Sequence, residues 1–225
     1  MARARKPLSR ERVLATAVRL ADEEGIEALT MRKLARELGV EAMSLYNHVA
    51  NKADLVDGIV DLVVAEIELP ADDPAWDTSI RRCAISAHEA FVRHPWACSL
   101  VIGPGETRRP PRLPMPRLRY MEWLLGRLRD AGFSADLTYH AYHVLDAHIV
   151  GFTLWQLGHE AGAQAMVGDA DVDEFVRGLI ARVRDEGFPQ VAEHGEQHLD
   201  PPDDRSAFEF GLDLILTGLQ RALND

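Results

Sequence analysis

Apolar residues recur every three or four positions through most of the chain, most regularly between Ser9 and Pro70. Val13, Leu14, Ala17, Leu20 and Ala21 form one stripe, which predicts an amphipathic helix. Ser9 is placed to cap its start and Gly25 to end it. Met31, Leu34, Ala35 and Leu38 repeat the spacing after Thr30, a second N-cap candidate. Gly39 stops that helix, because a residue without Cβ reaches positive φ at little steric cost, and apolar Val40 plugs the turn. Ala42 to His48 reads as a second short helix with Leu45 and Val49 facing inward. Asn51 then starts a longer helix, with Asp54 completing a capping-box-like pair. Leu55, Ile59, Leu62, Val63 and Ile67 carry it toward Pro70. Helix, glycine turn, helix is the geometry that lays its second helix in the DNA major groove.

The period resumes after a break at Pro70-Ala-Asp-Asp-Pro74. Trp76 to Arg93 predicts a helix with Ile80, Cys83, Ala84, Ala87, His88 and Phe91 on one side, ended by His94-Pro95. Residues 103–116 hold five prolines and two glycines and predict a loop. Leu118 to Ala131 is amphipathic. Ser134 caps the longest helix, from Ala135 to about His159, and a smaller helix spans Asp173 to Asp185. Residues 186–204 read as a polar loop, and the last helix runs from Asp203 or Asp204 to about Leu223. No stretch alternates with period two. The expected fold is all-α, with a three-helix head over residues 1–52 and a larger helical body over residues 53–225.

Composition narrows the function classes. The chain has 225 residues, 47% hydrophobic and 27% charged, enough for one large or two modest cores and unlike a disordered composition. No run approaches the roughly 20 apolar residues of a membrane span. The basic N-terminus has no apolar segment behind it, so a secretory signal is not expected and the expected location is cytoplasmic. Cys83 and Cys98 match no zinc spacing and read as reduced, buried thiols. A net charge of −11 argues against a nucleic-acid binder until its distribution is considered. Residues 1–52 hold ten Lys and Arg against seven Asp and Glu, a surplus of three, which leaves −14 for the rest. A basic head on an acidic body is the asymmetry expected when one small domain meets phosphate. The plain alternative is a basic solubilising arm.

The stretch L-T-M-R-K-L-A-R-E-L-G-V-E-A-M-S-L-Y-N-H-V-A-N-K-A-D-L, residues 29 to 55, closely resembles the head of the TetR family of bacterial transcriptional repressors, down to L-Y-x-H-V-x-N-K at Leu45–Lys52. H-V-L-D-A-H-I-V-G-F-T-L at His143–Leu154 is similar to the long helix of the tetracycline-repressor-like C-terminal type. The resemblance implies that the second helix of the motif enters the major groove. Ser44 and Asn47 are then suited to base edges and Ala42 and Met43 to a thymine methyl, while Arg32 is the bidentate candidate for guanine. Thr30, Tyr46, His48 and Lys52 match positions that hold phosphates, which set register rather than sequence. Tyr46 could instead simply pack the head. One head reads few base pairs, so a two-fold homodimer on a near-palindromic operator is expected.

The body is left with dimerising and sensing. On the long helix Ala147, Gly151, Trp155 and Gly158 share one face with Val144, and the last helix repeats small residues at Gly211 and Gly218 around Ile215. These two helices are the expected dimer interface; filling a monomeric core is the alternative. The opposite face carries Tyr142, His143, Asp146 and Val150. With His88, Phe91, Trp96 and Trp123 from other helices, it suggests an apolar cavity for a small hydrophobic inducer. Each histidine could equally be a satisfied structural residue. No metal or other cofactor is expected: His140 and Asp146 stand about 120° apart around the helix, too far to join His143 on one ion, though a metal-chelated ligand stays open. No nucleophile–base pair, phosphate loop or H-E-x-x-H motif points to an enzyme. The expectation is a ligand-released repressor. A ligand-independent regulator or activator, or an all-α small-molecule-binding protein without specific DNA binding, stays open.

Overall fold

A computed structural model describes residues 7–71, 75–101, 113–167, 172–199 and 206–224. The basic arm's Arg3, Arg5 and Lys6, residues 102–112 of the proline-rich stretch, and Asp203 and Asp204 lie outside the described residues. All regular structure among the described residues is helical, with α1 (Arg10–Glu24), a 3-10 turn (Ile26–Ala28), α2 (Met31–Leu38), α3 (Ala42–Leu45) and α4 (Lys52–Ala65) first. The body follows as α5 (Trp76–Arg93), α6 (Pro95–Val101), α7 (Met115–Asp130), α8 (Ala135–Val167), α9 (Val172–Asp185), α10 (Pro189–Leu199) and α11 (Ala207–Asn224). The described residues hold no strand.

The caps follow the local chemistry. Ser9, Thr30 and Asn51 each accept a hydrogen bond from a backbone N–H three residues on, so orphan donors of α1, α2 and α4 are satisfied. Several boundaries differ from the sequence expectation. Helix α3 stops at Leu45 instead of reaching His48, because the chain tightens into i→i−3 bonds such as His48 N–H to the Leu45 carbonyl at 2.8 Å. Pro95 opens a further helix, α6, rather than only closing α5, and Pro116 sits inside the first turn of α7. There a proline loses no hydrogen bond. Helix α10 occupies the stretch expected to be loop; Ala192 is its one fully buried residue, too narrow a contact to leave a visible period. Helix α8 runs on to Val167.

The head is tied together by one charged fork. Arg10 on α1 donates from both terminal nitrogens to Asp54 on α4, at 3.0 and 2.9 Å, and also to the His48 carbonyl at 2.8 Å. The same Asp54 accepts the Ala50 N–H at 2.8 Å. Gly58, one turn on, lets the helices close: a Cβ there would lie 2.8 Å from Leu14 Cδ2. Helix α4 then leaves the head and packs against α5, α6 and α7, so one apolar core runs through both regions.

In the body, α5, α8 and α11 pack against one another. His88 stacks on Phe208 with ring centroids 4.1 Å apart, and His148 lies on the same ring at 4.9 Å. His148 Nε2 is 2.9 Å from the Phe208 carbonyl, which can only accept, so that nitrogen carries the proton. Gly211, expected against a partner's helix, faces this imidazole within its own chain: an added Cβ would meet His148 Cε1 at 2.6 Å. Ile215, expected there too, is half-buried against the chain's own core.

Asp54→Ala removes both the fork's acceptor and the Ala50 partner. It should cost about 3 kcal/mol, since Arg10 stays largely buried without its counter-charge. Asp54→Asn, which keeps an acceptor, should cost less; urea midpoints of the two variants check the order. Removing the exposed Arg19–Glu23 pair should change the midpoint little.

Candidate nucleic-acid interface and ligand cavity

The turn between α2 and α3 is set by Gly39, whose φ of 66° and ψ of 40° are left-handed. Its N–H reaches the Arg36 carbonyl at 3.1 Å, and Val40 N–H reaches that of Ala35 at 3.0 Å, which closes the helix end. Leu45 and Val49 are buried beneath, so α3 is anchored by its inner side and displays its outer one. Met43 is 75% exposed and Tyr46 46%. Arg32, Asn47, Lys52 and Thr30 are also exposed, while Ala42, Ser44 and His48 are half-buried. Thr30 Oγ1 accepts the Lys33 N–H, leaving its own O–H free to donate.

The cations of the head divide into two sets. Lys33 is paired with Glu24, and Arg19 with Glu23 and Glu37. Arg32, Arg36 and Lys52 make no ion pair with a described residue. Their charge therefore remains available beside α3, in the one place where neutralising a phosphate releases counterions.

A cavity of about 170 Å³ lies in the body directly beyond α4. Helix α4 supplies Val64, the turn just after it Ile67, α5 Ala87 and Phe91, and α6 Val101. Helix α7 supplies Arg117, Leu118, Tyr120 and Met121, and α8 Tyr142, Asp146, Ile149 and Val150. Burial raises the Asp146 carboxyl above the usual carboxylate range, with the nearby His143 opposing. Burial also raises the phenols of Tyr120 and Tyr142, and the charge of Asp146 adds to both. Arg117 donates from Nε to Asp61 on α4 at 2.8 Å. Burial pushes the Asp61 carboxyl up while Arg117 holds it down.

Of the eight residues expected at a ligand site, Phe91, Tyr142, Asp146 and Val150 meet at this cavity. Four do not line it. His88 contacts Thr153 through Nδ1 at 2.8 Å; because the Thr153 hydroxyl donates to the Ile149 carbonyl, His88 Nδ1 must be the donor. Trp123 donates its Nε1–H to the Pro70 carbonyl at 3.2 Å. His143 is exposed and its Nδ1 lies 2.7 Å from the Tyr139 carbonyl. Trp96 points toward the head, donating to Asp22 of α1 at 2.7 Å. His94 joins it there, with Nδ1 2.8 Å from Asp22 and Nε2 3.3 Å from Glu66. The sequence reading missed Arg117, Leu118, Tyr120 and Met121. The Tyr120 ring, one turn before Trp123, was the available signal, obscured because the helix was expected to begin at Leu118.

Residues 13–59 match the model for bacterial regulatory proteins of the tetR family, and residues 69–223 match the tetracyclin repressor-like C-terminal domain. The chain belongs to the TetR family. It is 33% identical over 219 residues to the HTH-type transcriptional repressor DrrR1 of Streptomyces coeruleorubidus, covering 95% of this chain and 77% of that protein. It is 31% identical to the class C tetracycline repressor protein of Escherichia coli, with 95% and 91% covered. Among solved structures, Streptomyces coelicolor ActR in complex with actinorhodin superposes with a TM-score of 0.72 at 26% identity, covering 97% of this chain and all of that one. This TetR-family chain is thus a helix-turn-helix transcriptional repressor. None of its described helices is long and apolar enough to cross a membrane.

Two thiols lie outside this machinery. Burial pushes Cys83 up to about 12 and Cys98 up to about 11, so neither forms thiolate at neutral pH. Native protein at pH near 8 should therefore react negligibly with a thiol reagent, and both cysteines should react once urea unfolds it. Rapid labelling of the native protein would contradict this burial.

Proposed function

We propose that the chain is a ligand-responsive repressor: a homodimer that grips a near-palindromic operator and lets go when a small, largely hydrophobic inducer fills the cavity. Residues 1–52 serve as the reading head and residues 53–225 as the sensing and dimerising body. Its place of action is the bacterial cytoplasm, where the operator is. The observation that carries the reading is the double use of α4. Its first turn is held by Arg10 beside α3, and its last turns form a wall of the cavity. A ligand that needs more room than the empty cavity offers must displace Val64 or Ile67, and with them the head. That constitutes regulation only if the ligand binds the displaced arrangement more tightly than the DNA-competent one. Trp96 and Asp22 give a second mechanical link, because α6 also contributes Val101 to the cavity. ActR, captured with actinorhodin, is the relative whose ligand supports the same use here.

On DNA, Arg32, Ala42, Met43, Ser44 and Asn47 meet base edges, and Thr30, Tyr46, His48 and Lys52 meet phosphates. Two heads on successive half-sites stand about 34–36 Å apart. The dimer seam joins the exposed face of α8, at Ala147, Gly151, Trp155 and Gly158, to that of α11 at Leu214 and Gly218. Trp155 is 48% and Leu214 61% exposed in the single chain, an apolar surface that a second copy would cover.

A gel shift with the palindromic sequence upstream of its own or a neighbouring gene tests the whole reading. A folded dimer that shifts no such site at low salt would sink it. Asn47→Ala should relax preference at one base position, whereas Lys52→Ala should weaken every site alike and reduce the salt slope by about 1. Equal loss of preference in both variants would contradict this division. Leu214→Glu, tolerated on an exposed face of the monomer but burying charge in the seam, should sediment as monomer and bind operator at least about tenfold more weakly.

A further inference from the structure

The polar groups of the cavity are few enough to account for one by one. Arg117 is already engaged by Asp61, so its positive charge is compensated within the chain. Tyr120 and Tyr142 contribute neutral phenols. Asp146 alone brings a charge to the cavity without a described hydrogen-bond partner. His143, the next turn back on α8, is exposed and its Nδ1 lies against the Tyr139 carbonyl. Around Asp146 the wall is apolar, with Ile149 and Val150 one turn on and Phe91 across from it.

A carboxylate in such a setting is costly unless something supplies both counter-charge and N–H donors. We propose that Asp146 is the anchor for a cationic nitrogen, and that the cavity takes apolar, aromatic molecules bearing a protonated amine. This rests on the reading of the cavity as the inducer site. An ammonium group against Asp146 makes a charge-assisted hydrogen bond, the strongest kind that this lining can offer. The faces of Phe91, Tyr120 and Tyr142 add cation–π attraction. Anionic ligands meet the reverse: Arg117 is taken, Asp146 repels, and residues 53–225 carry −14. That excess of negative charge also concentrates cations at the body's surface. The raised carboxyl of Asp146 agrees with the assignment, since burial without a partner raises it and a bound cation would lower it again. Among the described lining residues none from α4, α5 or α6 is titratable, though Asp61 on α4 meets Arg117 behind the wall; Tyr120 and Arg117 line the site from α7, and Tyr142 and His143 neighbour it on α8.

The test uses the full-length protein and matched probes: benzyl, 1-naphthylmethyl and 9-anthracenylmethyl amines, the corresponding methanols, and 1-naphthoate, titrated by fluorescence or calorimetry. In the wild type the best-fitting amine should bind at least about tenfold more tightly than its alcohol, as expected of a hydrogen bond between charged groups. Naphthoate should bind most weakly. Asp146→Asn should bring amine and alcohol within about twofold of each other. Wild-type protein supplies a second readout that needs no variant. The amine-to-alcohol affinity ratio should fall on acidification, as Asp146, whose carboxyl burial raises, takes up its proton while the amine stays charged. An alcohol that binds as well as its amine, a preference that survives Asp146→Asn, or a pH-independent ratio would overturn the cation anchor and leave the cavity reading standing. Failure of every probe to bind would overturn the cavity reading itself, and this inference with it.

Discussion

Arg10 ties together three parts of the head through one charged group. Its guanidinium spans Asp54 on α4 and the carbonyl of His48, where the turn after α3 ends. The planar geometry matters, since a lysine could not bond both carboxylate oxygens and the carbonyl from fixed directions. Because Asp54 also receives the Ala50 N–H, the position of the reading surface and that of α4 are settled by the same atoms. A shift of α4 is therefore a shift of Asn47 and its neighbours.

Much of the head was legible in the sequence. Thr30, Gly39 and Asn51 announce their roles through local chemistry, and the stripe Leu34, Ala35 and Leu38 needs no distant partner to be recognised. The body was less so, because its decisive contacts are long-range. Nothing near Trp96 in the sequence says that its indole meets Asp22, far back on α1. Gly211 looked like a seat for a partner's helix, but a glycine opposite an imidazole serves its own chain. The His88 ring seemed suited to a ligand and is taken up by Thr153 and Phe208. In each case a residue's type was read correctly while its neighbour, set by packing, was not.

Two short connections join the cavity to the head. One is α4 itself. The other runs through α6, seven residues long, with Trp96 against Asp22 at one end and Val101 at the cavity wall at the other. Coupling carried over such short rigid elements does not require the body to be soft. It requires only that the empty and filled cavities favour different positions of the same helices.

The apolar strip of Trp155, Phe210 and Leu214 leaves a single chain with a surface that water disfavours. Were the proposed pairing to cover that strip, the DNA-competent species would become more abundant with chain concentration faster than linearly. Where chains are scarce, operator occupancy grows roughly with the square of their number. A cell that halves its stock at division would lose repression more than proportionally, which makes the abundance of the protein a signal alongside any molecule in its cavity.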